Sequence, residues 1–401
     1  MKVFVTGIGV ISAIGINTKE ALDSLANLHS GIGEITLLDT IFKGEYPIAE
    51  VKKTNLGLAE IAGIENIHSF TRTALLGVVA AKEAFNHARL DAETVKNFRI
   101  GLISANSVGG MDRSEHFYKK FYYNNTSGRL RDIVNHDCGE STERIARHLG
   151  ISHFMTTVST ACSSSANSIM FATRLIKNGF LDIAIAGGTD AITKFTLNGF
   201  NSLMILDKTG CKPFDENRNG LTLGEGAGFV VLESEEVLKK RNVNSLARIA
   251  GYGNACDAFH QTASSPEGDG AYLAMKKAFD ISGIEPASID YINVHGTGTT
   301  NNDLSEGKAI QRIFGNNIPT FSSTKAYTGH TLGACGGIEA VISILSIQNS
   351  MIFPNLNFKT PMKELFFSPQ TEILTDHKTE LVLSNSFGFG GNNSALIFSK
   401  Y

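Results

Sequence analysis

Hydrophobic and polar positions along this chain follow two periods in turn. Short β-branched and apolar runs predict buried strands over 2–6, 99–104, 155–160, 181–187 and 227–232. A second set follows at 246–253, 290–294, 319–323, 381–385 and 394–398. Between them, apolar residues at helical spacing predict helices over 18–28, 71–89, 163–178, 270–282, 303–314 and 333–349. Strand and helix signals alternate throughout, with glycine-rich turns between, which predicts an α/β fold. A charged stretch, 233–241, separates the two sets and divides the chain into an N-terminal unit, 1–245, and a C-terminal unit, 246–401.

The two sets resemble each other. Lys82-Glu83-Ala84-Phe85 matches Lys276-Lys277-Ala278-Phe279, and at the same offset Leu90-Asp91 falls on Ile284-Glu285. An internal duplication would set two similar α/β units face to face, with a site at their junction.

Composition narrows the function. With 401 residues the chain can bury a large core, and its net charge of −3 comes without a long basic run, so nucleic acid is not an expected partner. The cysteines, at 138, 162, 211, 256 and 335, are odd in number, scattered, and without Cys-x-x-Cys spacing. That argues against a disulfide framework and for a reducing cytoplasm. Gly7, Gly9 and Gly15 interrupt the first apolar run too early for a signal peptide. No segment is read as reaching the ~18 apolar residues of a membrane span. The expectation is a cytoplasmic protein without a membrane partner.

Candidate chemistry gathers where predicted strands end. The run Met155 to Thr160 stops just before Cys162, and helix-compatible sequence follows at once. At such a corner, free backbone N–H groups and the positive end of a helix dipole lower a thiol pKa and favour the thiolate. Against that stands the commoner role of a lone intracellular cysteine as an inert, buried, small residue. Val5-Thr6-Gly7-Ile8-Gly9-Val10-Ile11-Ser12 invites a dinucleotide-binding reading, but Ser12 replaces the third glycine. A tight turn packing strand on helix is the better expectation. His295 ends another strand, before Gly296-Thr297-Gly298-Thr299, and Asp303 and Glu306 open the next helix. The segment from Ser322 to His330 repeats that design, with Lys325 in its turn and Glu339 on the following small-residue helix. Two histidines and two carboxylates raise the question of a metal, but no His-Glu-x-x-His or other compact ligand spacing occurs, so no metal is expected. A last glycine cluster, Asn385 to Asn393, ends a strand near the C-terminus. Strand ends are where sites assemble in open α/β sheets. Cys162, His295, His330, Lys325 and the glycine loop then form one constellation.

Taken together, these residues resemble the β-ketoacyl-acyl carrier protein synthases, condensing enzymes of the thiolase-like fold. The resemblance runs from Val-Thr-Gly-Ile-Gly-Val-Ile-Ser through Thr-Ala-Cys-Ser-Ser-Ser, Ala-Gly-Gly-Thr-Asp and Lys-Pro-Phe-Asp-Glu-Asn-Arg-Asn-Gly. It continues through Gly-Glu-Gly-Ala-Gly and His-Gly-Thr-Gly-Thr to Lys-x-x-x-Gly-His and Asn-Ser-Phe-Gly-Phe-Gly-Gly. The pattern is that of the elongating, Cys-His-His type. The initiating type carries Asn where His330 stands, and biosynthetic thiolases lack this pair of histidines and use a second cysteine.

The resemblance implies two duplicated βαβαβαββ halves in a layered αβαβα architecture. It also implies a homodimer, or a heterodimer with a homologous subunit. It makes Cys162 the acyl-accepting nucleophile, with His295 and His330 binding the malonyl thioester carbonyl and assisting decarboxylation. Lys325 would hold His330, Glu339 would support that network, and Asp303 and Glu306 would brace it from behind. Backbone N–H groups of Cys162 and Phe389 would form the oxyanion hole, Phe389 would gate the thiol, and Val108 would lie along the acyl channel. No cofactor is implied, and the partner is an acyl carrier protein bearing acyl and malonyl phosphopantetheine.

The chain departs from the pattern in two places. Relatives that elongate ordinary fatty acids often carry several Lys and Arg before the helix that starts here near Thr71, whereas Arg72 is the nearest base in this chain. Carrier docking would then fall to Lys208, Lys212 or Arg129. The segment 112–137 is unusually aromatic, with Phe117, Tyr118, Phe121, Tyr122 and Tyr123, and would reshape a dimer-side channel. Three functions compete: a ketosynthase of fatty-acid elongation, one of a polyene or polyketide pathway paired with a chain-length subunit, and a silent partner subunit. Cys162, His295 and His330 together argue against the last.

Overall fold

Ten strands form the frame of a computed structural model that describes residues 1–401, the side chain of Ser69 set aside. They are β1 Val3–Ser12, β2 Ile100–Ala105, β3 Phe154–Val158, β4 Ile183–Asp190 and β5 Gly226–Ser234, then β6 Ala247–Cys256, β7 Tyr291–Asn293, β8 Thr320–Ser322, β9 Leu381–Phe387 and β10 Asn392–Ser399. Their order is β3-β2-β4-β5-β1-β6-β10-β9-β7-β8. Read outward from the central pair, the sequence of strands is the same on both sides, and so is their sense. β2 pairs parallel with β3 and β4, and β5 pairs antiparallel with β4 and β1. In the other half, β7 pairs parallel with β8 and β9, and β10 pairs antiparallel with β9 and β6. Val3–Val5 pairs antiparallel with Ala247–Ile249 and joins the halves into one sheet. The matching segments Lys82–Phe85 and Lys276–Phe279 lie in Arg72–His87 and Asp269–Ser282, the first long helix after the first strand of each half.

Strands β1, β4 and β5 are buried along their whole length because both faces are covered. In β4, Ala184 and Ala186 join one core while Ile183 and Ile185 join another, and β5 divides Val230 and Leu232 from Phe229 and Val231 in the same way. The first of these cores is shared between halves: it takes Val5 and Leu232 from one, Leu396 and Phe398 from the other. Two helices fill it, Ser164–Lys177 and Cys335–Asn349. Arg72–His87 covers the outer face of the first half and Asp269–Ser282 that of the second, which yields the layered αβαβα architecture of the thiolase-like fold. The central helix approaches the sheet backbone closely, since a Cβ on Gly228 would lie 2.4 Å from the Gly337 carbonyl carbon.

Several sequence expectations need correction. The run through Gly7 and Gly9 is no turn: β1 continues to Ser12, and Cβ atoms there would meet the backbone oxygens of Ala84 and Ala80 at 2.3 and 2.1 Å. Those glycines let a helix lie against the strand. Helices Met111–Tyr123, Cys138–Leu149 and Lys194–Ser202 were not predicted; the first buries no residue, and its aromatic side chains pair along its surface, Phe117 on Phe121 and Tyr118 on Tyr122. One segment, Leu332–Asn349, is after all long and apolar enough to cross a membrane, and 89% of it is buried inside the protein as the central helix.

Candidate active site

β3 ends at Val158, and the chain turns sharply through Ala161, whose φ of +53° is left-handed. Ser164 fastens the corner: its Oγ accepts the Thr160 N–H at 2.8 Å and donates to the Ala161 carbonyl at 2.5 Å. Cys162 therefore sits just ahead of Ser164–Lys177, at the helix N-terminus, as expected. Its thiol pKa is not lowered. Burial pushes it up to about 11, outweighing a hydrogen bond from the Phe389 N–H and the charge of Lys325. The helix end offers a fraction of a charge, whereas the cost of losing water acts on the whole thiolate.

His295 follows β7, fully enclosed. Glu306 grips the backbone on both sides of it, accepting the His295 N–H at 2.9 Å and the Gly296 N–H at 2.8 Å. Asp303 does the same one turn away, accepting N–H groups of Gly298 (3.2 Å) and Phe214 (2.7 Å). Burial pushes the Glu306 carboxyl up to about 7 against these donors. Lys325 Nζ lies 3.2 Å from His295 Nδ1 and pairs with Glu339, all three side chains being buried. An ammonium can only donate, so Nδ1 accepts and the ring proton is placed on Nε2. Burial, followed by the Lys325 charge, holds His295 well below its usual pKa.

His330 stands 5.4 Å from His295, ring centre to ring centre, at 88° to it. The Leu332 N–H donates to its Nδ1 at 3.1 Å, with Cys335 Sγ 3.2 Å from the same nitrogen, and the N–H again assigns the proton to Nε2. Burial and the Lys325 charge push this imidazole down to about 3. The expected partnership of Lys325 with His330 is corrected here: the ammonium bonds His295, and a backbone N–H orients His330. For Lys325 itself, burial would lower the pKa, but Glu339, with Cys335 and Glu306, more than offsets it and raises the group to about 12.

Cys162, His295 and His330 line one cavity of about 170 Å³ together with Phe389, Phe200, Leu221 and Thr297. Their ligand atoms lie within 4.8 Å of one another, close enough for three metal ligands. The Lys325 ammonium beside His295 disfavours a cation there, and donors already occupy both Nδ1 atoms. Phe389 stacks on Phe200 at 5.9 Å, and Gly390, with φ +79°, gives the loop after it a turn closed to most side chains. Val108 does not line the cavity directly. It packs into an apolar cluster with Phe200, Ile205 and Leu221, which do. Lys208 is exposed and paired with Glu45, Lys212 is half-buried and bonds Thr209, and Arg129 is exposed.

Sequence reasoning missed several contributors. Ser386 Oγ donates to Glu339 at 3.3 Å and Asn385 to Glu306 at 3.1 Å. Both lie in the quoted Asn-Ser-Phe-Gly segment, where they could have been found. Phe200 and Leu332 carry no local signal.

Family models described as the N-terminal and C-terminal domains of beta-ketoacyl synthase match residues 1–237 and 246–359. A 3-oxoacyl-[acyl-carrier-protein] synthase 2 of Staphylococcus aureus (strain MRSA252) is 36% identical over 412 residues, spanning 100% of this chain and 99% of its own. Its namesake in Coxiella burnetii is 33% identical, with 100% and 98% covered. Among solved structures, the ishigamide ketosynthase/chain length factor superposes with a TM-score of 0.94 at 30% identity, covering 100% of this chain and 99% of that one.

Proposed function

Since this chain belongs to the β-ketoacyl synthase family, we propose that it catalyses decarboxylative Claisen condensation of a Cys162-bound acyl group with malonyl-acyl carrier protein in fatty-acid chain elongation. In the first step Cys162 Sγ attacks the thioester carbonyl of an acyl carrier. The sulfur–carbon bond to the carrier breaks, and the thiol proton ends on the departing carrier thiol. In the second, carbon dioxide leaves the malonyl group and its bonding electrons remain on the thioester as an enolate. The Nε2–H groups of His295 and His330, both buried, meet that oxygen where fixed donors are worth most. In the third, the enolate carbon attacks the acyl-Cys162 carbonyl. Its oxyanion is received by the N–H groups of Cys162 and Phe389, and collapse releases the Cys162 sulfur, which regains a proton. The residues 1–245 thus supply the nucleophile and 246–401 both imidazoles.

One observation carries this reading: both histidines have Nδ1 filled by a donor, which leaves two neutral N–H groups beside one thiol. Low imidazole pKa values keep them neutral throughout the working pH range. The test is mass spectrometry of the protein after incubation with acyl-carrier thioesters of several lengths. The acyl mass is expected on the Cys162 peptide, and added malonyl carrier should discharge it as a β-ketoacyl carrier two carbons longer. Acylation on another cysteine, or none, would overturn the assignment.

The proposed partners are the acyl carrier protein and a second protomer, in the cytoplasm. Exposed Tyr118, Phe121 and Tyr122 on Met111–Tyr123 offer apolar surface for that protomer. A polyene or polyketide role, with a chain-length subunit in that place, draws support from the ishigamide relative. Repeated extension without reduction in the same assay would favour it.

Chain length is expected to respond to Val108. A phenylalanine there adds bulk to the cluster around Phe200 and Leu221, and packed interiors tolerate little added volume. In Val108→Phe, short acyl donors should still load Cys162 while long ones fail. Unchanged loading of long chains would remove Val108 from the channel.

A further inference from the structure

Asp190 ends β4 completely buried, and no step above uses it. Its oxygens accept the Ser107 N–H (3.0 Å), the Ser107 hydroxyl (2.6 Å), the Val108 N–H (3.1 Å) and the Gly333 N–H (2.7 Å). Four donors and no acceptor suit a carboxylate, although burial pushes its pKa up to about 6. Three of these contacts hold Ser107 and Val108, and Val108 packs against Phe200 and Leu221 of the acyl-cavity wall. Another reaches the turn that follows His330. Glu306 grips the corresponding strand end of the other half in the same way, by the His295 and Gly296 N–H groups.

The turn after His330 is strained. Leu332 has φ +52°, a region that any residue with a Cβ avoids. In that conformation its N–H points at His330 Nδ1, and its side chain enters the same apolar cluster as Val108. The next peptide is anchored on Asp190, and Ser107 Oγ also accepts the Gly333 N–H at 3.2 Å. A Cβ on Gly333 would lie 2.8 Å from Asp190 Oδ2, so the close approach needs glycine. If the anchor is lost, Leu332 can relax toward negative φ, which turns its N–H away from the imidazole and leaves Nδ1 to Cys335 Sγ, 3.2 Å away, which can donate to it or accept from it.

We propose that Asp190 is a positioning residue that holds the Leu332–Gly333 turn in its strained form, keeps His330 as the Nε2–H tautomer, and ties that imidazole through Ser107 and Val108 to the apolar cluster behind the acyl-cavity wall. An acyl chain lodged against Phe200 and Leu221 presses on the cluster that holds Val108 and Leu332 and is then felt at His330, which couples loading of Cys162 to the decarboxylation that follows. The kinetic half of this inference rests on the reaction proposed above, and the tautomer half does not.

The test is Asp190→Asn, nearly identical in shape, whose amide must set an NH₂ against N–H donors whichever way it turns. In protein labelled with ¹⁵N-histidine, the His330 signal, assigned by its absence in His330→Gln, should move from a pure Nε2–H pattern toward a mixture. Malonyl-carrier decarboxylation should fall roughly ten- to a hundredfold, while acyl loading of Cys162 stays within about threefold. Ser107→Ala leaves the carboxylate and backbone bonds in place and should shift both readouts less, in the same direction. A folded Asp190→Asn with an unchanged His330 tautomer, or with equal losses in both half-reactions, overturns the proposal. If Asp190→Asn does not fold, an unchanged His330 signal in Ser107→Ala overturns it instead. Wild-type protein inactive in both half-reactions would defeat the reaction while the tautomer measurement still decides the role of Asp190.

Discussion

Cys162→Ala is expected to abolish acyl loading and condensation while malonyl-carrier decarboxylation persists. The substitution removes the sulfur but leaves both imidazole donors with their Nδ1 partners, Lys325 and the Leu332 N–H, untouched. His330→Ala should do the reverse. It removes one of two N–H groups that meet the developing enolate, and loss of a single such donor costs roughly ten- to a thousandfold. Acyl transfer should suffer less, since the N–H groups of Cys162 and Phe389 remain. Carbon dioxide release and acyl-enzyme formation, measured separately on each variant, check this. If Cys162→Ala fails to decarboxylate while His330→Ala succeeds, the assigned roles are wrong.

Lys325→Met should damage both activity and stability. Lys325 is 1% exposed and bonds two buried groups, Glu339 and His295 Nδ1. Without the ammonium, Glu339 keeps only the Ser386 hydroxyl, and removing one member of a buried ion pair costs about 3–5 kcal/mol. Burial already raises the Glu339 pKa, with Lys325 the largest opposing influence, so the variant raises it further. The folded state then holds a proton that the unfolded state has released above its ordinary carboxylate pKa of about 4.3. Stability therefore falls as pH rises through that range toward the raised folded pKa. The deficit relative to wild type should be smallest in acid and grow toward neutrality, as urea unfolding at several pH values would reveal. His295 loses the donor that fixes its tautomer, and decarboxylation should drop by roughly ten- to a thousandfold. Wild-type stability and rate in Lys325→Met would show that the pair supports neither.

Much of this protein is written locally. The strands and the six predicted helices follow from apolar periodicity, because burying one face is a property of neighbouring residues. The duplication shows in Lys82–Phe85 and Lys276–Phe279 because both segments pack one helix on one first strand. Cys162 and His295 were legible because each closely follows a strand, at a turn that presents a chemical group to its partners, and His330 because it follows the short helix Lys325–Thr328 after another strand. The long exposed helix Met111–Tyr123 escaped notice because nothing buries it. Tertiary structure alone decided three other matters. Gly7 and Gly9 belong to a strand, since what demands glycine is the backbone of a helix some seventy residues away rather than a turn. Lys325 serves His295, because hydrogen bonds follow the distance between side-chain atoms across the fold and not proximity in the motif. The Cys162 thiol pKa rises although the helix end beside it should lower it. A dipole is a local property that a sequence reveals, whereas desolvation depends on every atom that closes over the sulfur.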